Sequence, residues 1–173
     1  MRNRLFFICF LLTVISVNET QAQFMRSRGS ANIGASFFAS DTGQGLRADY
    51  SKYLSSSFLI NPAIFYEWGK PMQSEYNNIG ADVLFGVVPF YLGNKFNLTV
   101  RAGLTGGYEK LTGLERDVTG FSVGGKGGGE LEFLVSESLS LSAYAYQAYL
   151  LKKVFGNSYY HIGLGVKFNL YNY

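Results

Sequence analysis

One histidine, His161, is the natural place to look for chemistry in this chain. Ser158 lies shortly before it, and Glu130 and Glu132 stand on an earlier segment with the parity to face the same way. A hydrolase needs a nucleophile, an imidazole and an orienting acid within hydrogen-bond reach, so a Ser–His–Glu arrangement is the catalytic candidate. The alternation around His161 turns it to the polar side of a sheet, whereas a lipid hydrolase of this size would keep its site on the lipid-exposed surface. No catalytic residue is therefore expected, and the chain reads as a non-enzyme. Gly124-Gly125-Lys126-Gly127-Gly128-Gly129 superficially suggests a phosphate cradle. It lacks a Ser or Thr after the lysine, and no helix follows to supply an aligned dipole, so strand glycines are the better reading. A lone imidazole with no second imidazole or thiolate beside it makes no metal site, and no cofactor is implied.

The N-terminus narrows the setting. Arg2 and Arg4 precede an apolar run from Leu5 to Ile15, and small residues stand at Thr20 and Ala22. This pattern predicts a signal peptide over 1–22, cut before Gln23, and a single domain over 23–173. The run is shorter than the ~20 apolar residues a membrane-spanning helix needs. Cys9, the one cysteine, falls inside the expected leader, so the mature domain would have no thiol for a disulfide, a metal or a nucleophile. A net charge of +3 is spread over scattered Lys and Arg without a basic run, which argues against a nucleic-acid surface.

The elements that must position the polar residues are strands. Phe96, Leu98, Val100, Ala102 and Leu104 alternate with Asn97, Thr99, Arg101, Gly103 and Thr105. Tyr160, Ile162, Leu164, Val166, Phe168 and Leu170 alternate in the same way with His161, Gly163, Gly165, Lys167 and Asn169. Period two with unlike faces is the mark of a half-buried strand. Turn signals divide the chain into eight strands at about 31–40, 45–54, 58–68, 78–91, 96–108, 119–134, 138–151 and 159–170. Short connectors alternate with longer ones, apart from a short first hairpin, as in bacterial outer-membrane barrels. The expected fold is an all-β, eight-stranded antiparallel up-and-down transmembrane β-barrel.

A soluble barrel would show the same alternation with its faces exchanged. The membrane reading is favoured because the polar face is rich in small residues (Gly34, Ser36, Gly80, Gly86, Gly103), which suits a narrow interior. The apolar face gathers aromatics near strand ends, including Phe58, Tyr66, Trp68, Phe96, Tyr108, Phe121, Phe133 and Tyr160. The polar face also carries Arg47, Asp49, Glu67, Asp82, Arg101, Lys126, Glu130, Glu132, His161 and Lys167. These charges nearly cancel, which predicts a plugged, ion-paired interior, with a selective channel as the alternative. Pro62 and Pro89 interrupt the strands, and a bulge is expected at each. The run from Gly120 to Gly129 breaks the alternation and is expected to bend or to approach a neighbouring strand closely; it leaves its register open.

The order Ala102-Gly103-Leu104-Thr105-Gly106-Gly107-Tyr108-Glu109, then Gly129-Glu130-Leu131-Glu132, then Gly163-Leu164-Gly165-Val166-Lys167-Phe168 resembles the TraO family of conjugative-transposon transfer proteins from Bacteroides-type bacteria. The similarity extends more loosely through Tyr50 to Trp68 and Gly80 to Leu92, while the mature start lacks the cysteine of some members. The resemblance implies an accessory or structural component of a conjugative transfer apparatus, working through other transfer proteins without touching DNA. The longest connectors, 69–77 and 109–118, are the candidate contact loops, with Lys70, Glu75, Lys110, Glu115, Arg116 and Asp117. The closing strand, with His161, Gly163, Val166 and Phe168, also resembles the signal read by the barrel-assembly machinery of the outer membrane. A narrow porin, a surface-adhesion barrel, a lipid-modifying hydrolase and a soluble ligand-binding barrel remain the alternatives.

Overall fold

A computed structural model describes residues 28–71, 74–92, 95–113, 117–152 and 158–170. The expected leader at 1–22 lies outside them. Eight strands form in chain order: β1 (Ala31–Ser40), β2 (Gln44–Tyr53), β3 (Phe58–Gly69), β4 (Glu75–Leu92), β5 (Phe96–Thr112), β6 (Val118–Ser136), β7 (Leu139–Lys152) and β8 (Ser158–Leu170). Each pairs antiparallel with its neighbours, and β8 pairs with β1, so the sheet closes as a barrel without a free edge. Closure matters in a bilayer because hydrocarbon offers no partner to an unpaired backbone group.

Register sets the tilt. Partners followed around the wall run from Ser40 through His161, Tyr146, Gly128, Arg101, Gly86, Leu59 and Tyr53. Tyr53 N then donates to Ser30 O at 2.9 Å, ten residues below the starting point on the same chain. Such a stagger inclines every strand to the barrel axis, and with eight strands it leaves an interior that side chains can fill.

The alternation in the sequence is the alternation in space. Leu104 is 69% exposed and Leu164 is 70% exposed, while between their outward rows Arg101 is 1% exposed and Glu132 fully buried. Ile162, Leu164, Val166 and Phe168 all face outward. An apolar exterior around a charged interior is the arrangement of a barrel solvated by hydrocarbon. Phe58, Phe96, Phe133 and Phe168 lie towards the short-turn end; Tyr66, Trp68, Tyr108, Phe121, Tyr149 and Tyr160 lie towards the other. Within these belts Phe96 and Phe133 are 4.8 Å apart, and Tyr108 and Phe121 are 5.1 Å apart, centroid to centroid. Along a strand the belts are about 8 to 12 residues apart, or roughly 20–30 Å at ~3.3 Å per residue and a tilt near 40°, which matches a hydrocarbon band.

The two prolines behave differently. At Pro89 the β4–β5 register slips between Val87 and Phe90, which is the expected bulge. No bulge forms at Pro62: the β2–β3 register runs on unchanged from Asp49–Ala63 to Lys52–Ile60, and Pro62 faces Val83 across β3–β4. A side chain serves the backbone there instead, since Asn61 Nδ2 donates to the Tyr50 carbonyl at 3.2 Å. The glycine run of β6 keeps one unbroken register against β5 and shifts against β7 between Val123 and Gly124. A Cβ on the inward Gly124 would stand 1.9 Å from the Tyr149 carbonyl oxygen, whereas one on the outward Gly125 would stand clear at 3.8 Å. Close strand approach is therefore confined to the inner face of that run.

Candidate functional site

All ten charged residues expected inside do point inward, and each of them is buried. They sort into two clusters stacked along the barrel. In the outer cluster Asp82 on β4 accepts from Arg47 on β2, from Lys126 Nζ on β6 at 2.9 Å and from Thr105 Oγ1 on β5 at 2.7 Å. Arg47 Nη2 also donates to Asn61 Oδ1 at 2.9 Å, and Asn61 Nδ2 donates to Asp49 Oδ2 at 2.9 Å, so Asp49 joins through an amide. Aromatic faces cover the cations: Lys126 Nζ is 4.9 Å from the Phe65 ring centre and the Arg47 guanidinium 5.5 Å from that of Tyr146. Such contacts stabilise a cation withdrawn from water.

His161 lies in this outer cluster. Its Nδ1 is 3.0 Å from Lys126 Nζ, its Nε2 is 3.8 Å from Glu67 Oε2, and its ring stacks on Phe38 at 4.2 Å. Glu67 in turn accepts from Ser40 and Thr42 at the β1–β2 turn. The supposed triad is not assembled: Ser158 is exposed at the start of β8, and Glu130 and Glu132 belong to the other cluster.

That inner cluster is balanced. Glu130 accepts from Lys167, from Arg101 Nη2 at 2.9 Å and from the Tyr146 hydroxyl at 3.1 Å. Glu132 accepts from Lys167 Nζ at 2.6 Å and lies 4.0 Å from Arg101 Nη2. Pairing with further hydrogen bonds is what makes buried charge tolerable. Phe38, Arg47, Phe65, Asp82, Arg101, Lys126, Tyr146 and His161, one from each strand, are all buried inside, so every part of the wall contributes to the filling. Among the described residues no group of three His, Cys, Asp or Glu side chains is arranged to hold a metal ion.

Two contributions escaped the sequence reading. Glu109 is buried on the inner face of β5, because the strand runs on past residue 108 with its parity intact. The continued alternation beyond Gly107 was the available signal. Phe38, Phe65, Leu84, Tyr144 and Tyr146 form an apolar cluster inside the nominally polar face. For the two tyrosines the outward small residues Ala143 and Ala145 were the clue.

The expected contact loops are shorter than 69–77 and 109–118. β4 begins at Glu75 and β5 continues to Thr112, where the two residues pair, so Glu75 and Lys110 are strand residues. A ladder above the aromatic belt satisfies backbone groups better than an open loop of polar residues would. Lys70 Nζ and Glu75 Oε1 are 4.0 Å apart on the exposed surface, and Asp117 is exposed beside β6. Glu115 and Arg116 lie outside the described residues. Of the proposed assembly signal, His161 and Gly163 face inward, and Val166 and Phe168 face outward.

An inverted, closed, side-chain-filled barrel defines the class: this is a small bacterial outer-membrane β-barrel. Solved structures agree on the fold. The N-terminal β-barrel domain of Pseudomonas aeruginosa OprF is 18% identical, with a TM-score of 0.64 over 84% of this chain and 100% of that one. Ail, the attachment invasion locus protein of Yersinia pestis, is 13% identical, with a TM-score of 0.60 over 83% and 99%. A major outer membrane protein from Thermus thermophilus is 8% identical, with a TM-score of 0.68 over 82% and 99%. Neither a family model nor a curated protein sequence matches the chain.

Proposed function

We propose that this barrel is a non-conducting structural component of the outer membrane, serving a conjugative transfer apparatus by holding its loop end rigid for other transfer proteins. The observation that carries the structural part is the interior. Two ion-paired clusters of both signs occupy the lumen, where a conducting pore would need water or a lining of one sign. The transfer role draws on the resemblance to TraO proteins, and the contacts are assigned to the loop end carrying Lys70, Glu75, Lys110 and Asp117, with Glu115 and Arg116 between them in the sequence. No residue is assigned to catalysis and no cofactor to the interior. The barrel-assembly machinery is the expected partner during insertion, reading β8.

Deleting the gene from a donor strain and scoring transfer frequency tests the reading. A large fall, restored by the gene in trans, is expected; an unchanged frequency removes the transfer role. Purified protein in planar bilayers is expected to give no steady current, and a stable unit conductance would promote the narrow porin instead.

A further inference from the structure

Outside the barrel, the apolar surface is not uniformly convex. A groove of about 790 Å³ crosses the wall at mid-height over β1, β2 and their neighbours. Its floor is made by Ala35 and Ala48, which are register partners, and its sides by Phe37, Leu46, Ile64 and Leu164. Large side chains surround two methyl groups, leaving a trough between the two aromatic belts.

The wall above this trough and the wall below it are unlike. At the loop end stand Tyr66 and Asn77, the tyrosine hydroxyl donating to the amide oxygen at 2.8 Å; Lys70 beyond them already has Glu75 4.0 Å away. On the periplasmic side Lys52 projects outward from β2, four residues from Ala48 on the same strand, and is exposed. It faces Ile60, two residues from Phe58 of the lower belt, so it sits where lipid headgroups begin. Arg28 is held beside the same strand, because Gly29 N donates to Tyr53 O at 2.8 Å. Neither cation is ion-paired among the described residues.

We propose that the groove holds an acyl chain of an anionic phospholipid from the periplasmic leaflet, with its phosphate on Lys52 and Arg28. The reach is right: four residues of strand rise about 10 Å along the barrel axis at ~3.3 Å each and a tilt near 40°, within the half of a ~30 Å hydrocarbon core, about 15 Å. The charge selects the headgroup, and the trough selects a chain over a flat annular contact. At the loop end one exposed cation stands outside an ion pair among the described residues, Lys110, the register partner of Asn77, against the two at the periplasmic side.

Native mass spectrometry of the full barrel, released from nanodiscs of equal phosphatidylglycerol and phosphatidylethanolamine with identical chains, tests this. The expected result is one retained phosphatidylglycerol per barrel. Lys52→Gln and Arg28→Gln should each cut the preference for phosphatidylglycerol about fivefold. Ala48→Phe, which fills the trough, should abolish retention of either lipid, with Ala48→Leu in its place if the phenylalanine variant loses the folded barrel's gel mobility. Equal retention of the two lipids, indifference to Lys52→Gln and Arg28→Gln, unaltered retention in a folded trough-filled variant, or a dimer mass in place of bound lipid would each overturn the proposal.

Discussion

Among the described residues Asp82 is the one carboxylate in contact with both Arg47 and Lys126, whereas Glu130 and Glu132 share Arg101 and Lys167 between them. The outer cluster has an excess of cation at its centre and corrects it with ring faces, an amide relay to Asp49 and the imidazole nitrogen that faces Lys126. The inner cluster needs no such relay. Equal burial therefore does not mean equal vulnerability: what a charge loses when its partner goes depends on whether a second partner is already in contact.

The largest effect should follow Asp82→Asn, which leaves Arg47 and Lys126 without a carboxylate in contact among the described residues. Uncompensated buried charge costs about 3–5 kcal/mol, to be read as a lower urea midpoint for unfolding in lipid vesicles. Glu132→Gln should cost less, about 1–3 kcal/mol, because Arg101 and Lys167 both keep Glu130. Equal losses for the two variants would erase the distinction between the clusters. The exposed Lys70–Glu75 pair sets the lower bound: Glu75→Gln should shift the midpoint by about 0–1 kcal/mol, since water and salt screen it.

The strands were legible in the sequence because a barrel wall has two chemically opposite solvents, and each residue must face one of them. His161, Lys167 and Arg101 were placed inside by parity alone, and the same parity faced Leu164 and Phe168 outward. Strand ends were less legible: beyond the membrane the outward face meets water too and carries polar residues such as Glu75 and Lys110, which were read as loop, and Glu109 was missed although its inward parity continues. Pro62 shows a different kind of gap. A missing donor predicts a disturbance, but a side chain such as Asn61 can serve the backbone, and no local pattern reveals that.

Taken by itself, the order of residues determined eight strands, their two faces and the buried charge set apart from Glu109, because period-two patterning is a local property. Partnership was decided only by the closed sheet. Arg47 meets Asp82 across β3, and Lys126 meets Asp82 across β5, because register and tilt bring distant strands to one level of the lumen. The trough over Ala35 and Ala48 arises in the same way, from small residues on adjacent strands that only the register sets side by side.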